Sequence, residues 1–494
     1  MGTGTLSRLI FSGTMYLSPC PPCPDVFNLN LNLNIRMVLL MFKIQNKMNI
    51  NPIGLLYSII LFIIGIKLRI WWINNVPTTQ IYDFQTYQEL ATNIFLRVGF
   101  VLDGQPVAFQ GMAYPTVLGY VYRFMGNAKE MTAKNFNVIL SALTMIIIYL
   151  TLIKLTTRQL VIYTAFTMVA LLPNYIAYNN VIGTEVFITF ILSVIVLLQV
   201  YEFDNRIRLP LLGLFIGGAA LTKPFFMAYP AVVAVIFWLK EKDLKRTLIS
   251  FAAIFLIMSL IIAPWTYRNY QKFGRLIPVS YNSGYVFYLN NNAYNTNGAW
   301  MPIKDAYASP ELQKQIDQIL ENGKRSEKVA HELEVVFKPE ANKWIRENPR
   351  EFIKLGFIRL KGTFFSGSWD IDTWTMNDKR PLEANLKIWT KEQRIEHERQ
   401  TNFTKGLRDM VVHLLSSFGF LFVLINAKDI LLGLFSKTRS LPYERTIPVI
   451  NSAFFILIYF IFEGQARYNF PVLMFFAIST ALCLDLLRKS NNKI

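Results

Sequence analysis

Apolar stretches close to 20 residues long recur at ten places between Ile53 and Leu487, and this recurrence limits what the chain can fold into. A bilayer core needs about 20 apolar residues per crossing helix. Inside it, each backbone N–H and C=O has to be paired within the protein, so helices are the economical solution. The expected spans are Ile53–Trp72, Phe136–Ile153, Leu160–Tyr175, Thr184–Val200, Leu209–Leu221, Phe225–Leu239, Leu248–Trp265, Met410–Ile425, Thr446–Phe462 and Phe470–Leu487. The fold class expected is therefore an all-α polytopic membrane protein of about ten transmembrane helices with two long polar segments. Composition agrees: 17% of residues are charged and 53% hydrophobic, against roughly 25% charged in soluble domains.

The formal charge of +18 could point to nucleic acid. It does not, because the Lys and Arg lie in the short links between apolar runs. Lys154 and Arg158, Arg206 and Arg208, Lys240 to Arg246, Lys437 to Arg445, and Arg488 with Lys489 all fall on one side when the N-terminus is cytoplasmic. The positive-inside rule makes that side the cytoplasm. Ten crossings put both termini inside, and segments 74–133 and 266–408 outside. The expected organisation is a 1–48 tail, a 49–265 transmembrane core containing the first outer loop, a 266–408 second extracytoplasmic segment and a 409–494 C-terminal part. The tail holds SPCPPCP and NLNLNLN, which suit neither a helix nor a globule. It reads as a disordered cytoplasmic tail or as sequence ahead of the true start, with Met37, Met41 and Met48 as alternative starts. Cys20 and Cys23 form a lone CxxC, and the three histidines show no metal-ligand spacing.

Several cations break the charge rule. Lys67 and Arg69 end the first span, Lys223 follows the fifth, Arg268 follows the seventh, and Arg467 sits in the turn before the last. All are expected outside at headgroup depth. Such a charge is costly unless partnered, and a phosphate is a natural partner for Arg and Lys. The plainer alternative is contact with ordinary lipid headgroups by snorkelling. Two carboxylates share that face: Asp83 in the first outer segment and Glu185 at the start of the fourth span. A carboxylate poised among phosphate-binding cations suits glycosyl transfer from a lipid phosphate. The phosphate leaves readily, the cations hold its developing charge, and the carboxylate takes the acceptor proton. The plainer readings are a helix cap for Asp83 and a helix-dipole residue for Glu185.

Five stretches carry a family resemblance. They are Asp83 with Tyr87 and Ala91, followed by Gly99-Phe100 and Tyr114-Pro115; Leu172-Pro173 leading to Thr184-Glu185; LLGLFIGGAALTKP, ending at Pro224; Pro264 to Tyr270 with Phe273-Gly274; and Glu463 to Pro471, ending RYNFP. In this order the chain resembles the GT-C superfamily of membrane glycosyltransferases. The branch is that of bacterial protein O-mannosyltransferases and aminoarabinose lipid A transferases (glycosyltransferase families 39 and 83). The resemblance implies that Asp83 and Glu185 are catalytic, and that Lys223, Arg268, Arg467 and Arg69 contact the donor phosphate. It also implies that Tyr87, Tyr114 and Tyr468 contact substrate. Many members carry Asp-Glu at the first motif, whereas Phe84 follows Asp83 here. No metal site is assigned, and a divalent cation near Asp83 stays open.

The resemblance further implies a polyprenyl-phosphate sugar donor, an inverting transfer to a hydroxyl acceptor, membrane lipid as surroundings and no nucleic-acid partner. The acceptor class (cell-wall polymer, glycolipid or protein) stays open. The rival readings are a flippase or transporter of lipid-linked sugars and a polysaccharide polymerase or ligase. A transporter would show internal repeats or polar midplane breaks, and none is evident in the sequence.

Overall fold

A computed structural model describes residues 51–306, 310–320 and 327–491. The tail expected at 1–48, with its CxxC, lies outside the described residues.

Helices occupy all ten expected span positions. They are α1 (Pro52–Asn75), α4 (Glu130–Leu155), α5 with α6 (Gln159–Leu171, Pro173–Ala177), α7 (Thr184–Val200), α8 (Asn205–Thr222), α9 (Tyr229–Glu241), α10 (Leu244–Phe273), α16 (Lys391–Phe435), α17 (Tyr443–Ile461) and α18 (Leu473–Asn491). By length and composition six are long and apolar enough to cross a membrane, the 3-10 turn Pro224–Ala228 counting with α9. The pair α5–α6, bent by 46° where Pro173 interrupts the helix, passes the same test when its two parts are taken together. The helix α7 is apolar but only 17 residues long. Two helices fall short for a reason visible in sequence: Arg206 and Arg208 load the first turn of α8, and Asp485, Arg488 and Lys489 load the end of α18.

The first polar segment holds α2 (Asp83–Phe95), a two-stranded hairpin of Val101–Leu102 and Gln105–Pro106, and α3 (Ala113–Met125). The helices α2 and α3 pack on each other, burying Phe84, Leu90, Tyr114 and Leu118. At 13 residues α3 is too short to cross a bilayer.

The second polar segment holds α11 (Ser283–Asn290), α12 (Pro310–Leu320), α13 (Glu327–Glu347), α14 (Pro349–Phe364) and α15 (Arg380–Ile388). Three of these helices lie between Pro310 and Phe364, and Pro349 starts the last of them after Asn348. A small core of Tyr288, Leu289, Ile316, Leu333 and Phe337 binds α11, α12 and α13. The boundary expected at residue 408 is not a break: α16 runs unbroken through it for 45 residues. At 1.5 Å per residue that is roughly 68 Å, about twice a bilayer core. Gly406 lies where its sequence turns polar, and the helix continues through it.

At the end of the bundle holding the short basic links, Arg158 bonds Glu444 and Asp485, and Asp429 bonds Arg439 and Arg445. The candidate site lies at the opposite end.

Candidate active site

The site is assembled from five helix ends. Asp83 opens α2, where it follows a tight turn. Glu185 sits in the first turn of α7, Lys223 caps the C-terminus of α8, and Arg467 lies in the 3-10 turn Ala466–Asn469 between α17 and α18. Two glycines permit the approach. A Cβ on Gly111 would lie 2.2 Å from the carbonyl oxygen of Thr222, so this loop rides directly on the end of α8, setting Gln110 beside the Lys223 turn. A Cβ on Gly183 would lie 2.4 Å from Oε2 of Glu185 and 2.6 Å from the Phe84 ring, so Glu185 packs beside the α2 start.

The central contact joins Arg467 Nη2 to Asp83 Oδ2 at 2.7 Å. Gln110 Nε2 donates to the other Asp83 oxygen at 3.2 Å. Arg467 Nε donates to Gln465 Oε1 at 3.1 Å, and the Gln465 amide donates to Glu463. Tyr468 adds a hydroxyl bond to Glu463 at 3.1 Å. The guanidinium is enclosed by the rings of Tyr468, Trp374 and Phe84 at 5.4, 5.6 and 5.7 Å. Such cation–π contacts strengthen as water is excluded. The Lys223 ammonium lies 6.0 Å over the other partner of this cage, the Tyr468 ring.

Burial acts to raise the Asp83 carboxyl, but Arg467, Lys223 and Gln110 outweigh it and hold the group below its usual range. Burial pulls the Lys223 ammonium down, and Arg467 adds to this, against Glu185, Asp83 and Glu463, which favour its charge. Burial would lower the Arg467 guanidinium as well. Asp83, Tyr468 and Glu185 more than compensate and keep it firmly charged. Burial pushes the Glu463 carboxyl up, with Asp83 adding to the rise. The cluster thus holds two cations among three carboxylates.

Tyr87 and Tyr114 stand behind Asp83, packed edge-to-face at 5.7 Å. The charges of Asp83 and Glu185 reach Tyr87, whose phenol burial keeps protonated. Tyr114 is fully buried against Phe187, so it supports the site from within the core.

Two expected phosphate ligands are engaged elsewhere. Arg69 is buried and donates to the carbonyls of Gly65, Ala170 and Val169. It serves the carbonyls left open where Pro173 breaks the third span. Arg268 donates to Val107 O and Phe100 O at 2.9 and 3.0 Å, and stacks on Trp265. It staples the hairpin loop to α10 and makes no bond to the Asp83–Arg467 pair. Sequence showed cations at helix ends, but could not show backbone carbonyls waiting for them.

Three groups were missed. Glu463 opens the stretch that ends RYNFP and is a third carboxylate of the site, marked in sequence only by its place in the same turn as Arg467. Asp370 and Trp374 come from the second polar segment, with no motif to mark them. Asp370 is fully buried, accepts from Tyr178 at 2.7 Å and Asn174 at 3.2 Å, and leaves Oδ1 unpartnered. Burial raises its carboxyl to about 6. Orphaned buried polar atoms also include Glu185 Oε2 and both side-chain heteroatoms of Asn469. Such atoms call for a ligand or water. Among the described residues no three His, Cys, Asp or Glu side chains are grouped to hold a metal ion.

The fold and its site belong to a helical membrane protein with acids and cations gathered at one end. Residues 113–275 match the family described as dolichyl-phosphate-mannose-protein mannosyltransferase, which supports the expected GT-C membrane glycosyltransferase class. The matched stretch contains Glu185 and Lys223, while Asp83 and Arg467 lie outside it. No curated protein sequence matches the chain. Among solved structures the chain is similar to the oligosaccharyltransferase AglB of Archaeoglobus fulgidus in complex with an inhibitory peptide and a dolichol-phosphate. That likeness is 15% identical, covers 90% of this chain and 52% of the other, and has a TM-score of 0.48. The same organism's oligosaccharyltransferase tethered to an acceptor peptide gives 14% identity, 88% and 50% coverage and a TM-score of 0.49. ArnT of Cupriavidus metallidurans in the apo state gives 13% identity, 86% and 77% coverage and a TM-score of 0.38. The chain spans about half the length of the archaeal proteins it matches.

Proposed function

We propose that the chain transfers a monosaccharide from a polyprenyl-phosphate carrier to a hydroxyl acceptor at the extracytoplasmic face of the cell membrane, with both termini cytoplasmic. The observation that carries this reading is the Asp83–Arg467 contact beside Lys223. It couples a carboxylate to two cations at the end of the bundle opposite the short basic links.

In the reaction, the acceptor oxygen attacks C1 of the sugar and gives its proton to Asp83. The C1–O bond to phosphate breaks, and its electron pair leaves on the polyprenyl phosphate. Arg467 and Lys223 stabilise that growing charge. Attack opposite the leaving phosphate inverts C1. Glu185, beside Phe84, orients the acceptor. Arg69 and Arg268 act as structural cations. A phosphate arriving at Arg467 also weakens its hold on Asp83, so the carboxylate gains basicity when the donor is bound.

The test is incubation of the purified protein with a labelled polyprenyl-phosphate sugar and membrane extract, and separately in sealed proteoliposomes. Label transferred to an acceptor supports the reading. Label that crosses the bilayer without transfer makes the protein a flippase.

A further inference from the structure

We propose that Tyr82 and Trp374 form a stacking platform for a pyranose ring at the mouth of the site, which rests on the glycosyl-transfer reading above. The two rings meet edge-to-face at 6.2 Å and 85°. They come from different polar segments, and each is held in place by features that packing alone does not require.

Tyr82 directly precedes Asp83 and is 74% exposed. The amide of Phe84 donates to Ile81 O at 3.1 Å, closing a four-residue turn. Tyr82 occupies the second position of that turn at φ 51° and ψ −121°. This is the type II′ position, which glycine takes freely and a tyrosine does not. A bulky aromatic kept in such a conformation, with its ring in solvent, points to use of the ring.

Trp374 is half-buried and lies in the turn Ile371–Thr375. This turn is fastened on both sides of the ring. Before it, Asp370 bonds Tyr178 and Asn174, and Asp372 bonds Arg408 at 2.6 Å. After it, Thr375 O accepts from Thr78 and from Asn180, and Asn377 pairs with both backbone groups of Thr79. The ring therefore stands fixed between Tyr82, Phe84 and the Arg467 guanidinium.

A pyranose has an apolar C–H face and a hydroxylated rim, and an exposed Tyr82 beside a half-buried Trp374 suits such an amphipathic ring. In a polyprenyl-phosphate sugar the pyranose is bonded to the phosphate. A phosphate on Arg467 would deliver the attached ring beside Trp374. A saccharide acceptor approaching Asp83 would offer the same C–H face from the solvent side.

The experiment measures binding of a short-chain polyprenyl phosphate to the full chain in nanodiscs. The carrier is used bare and with mannose, glucose or galactose attached. Tyr82→Ala, Trp374→Ala and Trp374→Phe are compared with the natural chain. The bare carrier should bind Tyr82→Ala and the natural chain alike; the Trp374 variants also alter the Arg467 cage, so each is read as the ratio of its sugar-bearing to its own bare-carrier affinity. The affinity advantage of the best sugar-bearing carrier should fall roughly three- to tenfold in both alanine variants, the worth of an aromatic contact, and Trp374→Phe should keep most of it. If the stacked ring is the acceptor's, carrier affinities stay equal, and the apparent KM for acceptor in solubilised membrane extract rises by the same factor.

Unchanged carrier affinity and unchanged acceptor KM in Tyr82→Ala overturn the proposal, as does an equal loss of bare-carrier binding in that variant. Tyr82 is exposed, so this arm stands even where Trp374→Ala fails to fold. Bare-carrier binding that Arg467→Ala leaves untouched is a separate result: it sinks the phosphate site and not the platform.

Discussion

The Asp83 carboxylate and the Arg467 guanidinium, 384 residues apart in sequence, meet at 2.7 Å. Each has a second anchor that fixes its direction: Gln110 on Asp83, and the Gln465–Glu463 relay on Arg467. The pair is therefore a built contact between the first polar loop and the last turn.

Arg467 should set the acid limb of the pH–rate profile. Asp83 sits below the ordinary carboxylate range because its cationic neighbours outweigh its burial. The natural chain should thus keep its kcat/KM down to pH values below those at which a free carboxylate protonates. Arg467→Ala removes the largest lowering influence and leaves the burial, so the acid limb should move to higher pH. Donor affinity should fall as well, by about 1.5–3 kcal/mol if one charged hydrogen bond to phosphate is lost. Arg467→Lys should restore part of both. A limb that stays in place, measured from pH 4 to 8, would disconnect the two residues functionally.

Gly111 should tolerate no side chain. A Cβ there would press on backbone, at 2.2 Å from Thr222 O and 2.6 Å from Leu221 O, and backbone cannot rotate away. The loop must lift off α8, carrying Gln110 away from Lys223. A displacement near 1 Å costs on the order of 10²-fold in rate. Gly111→Ala should therefore lose activity while the solubilised protein stays monodisperse. Full turnover would mean that the loop is not a placing element.

Much of this was legible in the sequence, because spans and links obey solvent physics that a single chain displays. Each apolar run coincides with a helix among the described residues, and the motifs around Asp83, Lys223 and Arg467 named residues that the fold brings together. Three things were hidden. The polar first half of α16 looked like a loop, because a helix that leaves the membrane loses its apolar signal without losing its hydrogen bonds. Arg69 and Arg268 looked like phosphate ligands, because open carbonyls at Val169 and Ala170 or Phe100 and Val107 leave no mark on composition. Asp370 and Trp374 lay in a polar stretch whose pairing with residues 78–82 and 174–180 is tertiary.

Asp370 should make stability depend on pH. Its carboxyl is raised from 3.8 to about 6 by burial, so the fold prefers it protonated. A raised folded value gives a contribution that is complete below pH 4 and lost as pH rises through about 6. The loss amounts to about 3 kcal/mol at most. Asp370→Asn keeps the shape and an oxygen able to accept from Tyr178 and Asn174, but carries no charge. The Tm of the variant relative to the natural chain should rise between pH 4 and pH 7 and then level off. A constant difference across that range would show that Asp370 does not titrate as its burial implies.

The carboxylate that takes the acceptor proton should be Asp83 and not Glu185. Both lie at the site, but of the two Asp83 makes the ion-pair contact, with Arg467, while Glu185 acts on Lys223 through its charge. Glu185 keeps Oε2 without a partner and packs against Phe84 and Gly183, a place suited to orienting an acceptor. Asp83→Asn preserves size and retains one oxygen to accept from Arg467, while its amide nitrogen takes the place of the oxygen that Gln110 addresses. The protein should fold, and donor binding should persist because both cations remain. Turnover should drop by on the order of 10²–10⁴, the usual worth of a general base. Glu185→Gln should lose less, chiefly through a higher acceptor KM. Single-turnover transfer from a labelled donor, measured beside donor binding for each variant, separates the two roles. A dead Glu185→Gln with a near-normal Asp83→Asn would reverse the assignment, and full activity in both would remove glycosyl transfer from this end of the bundle.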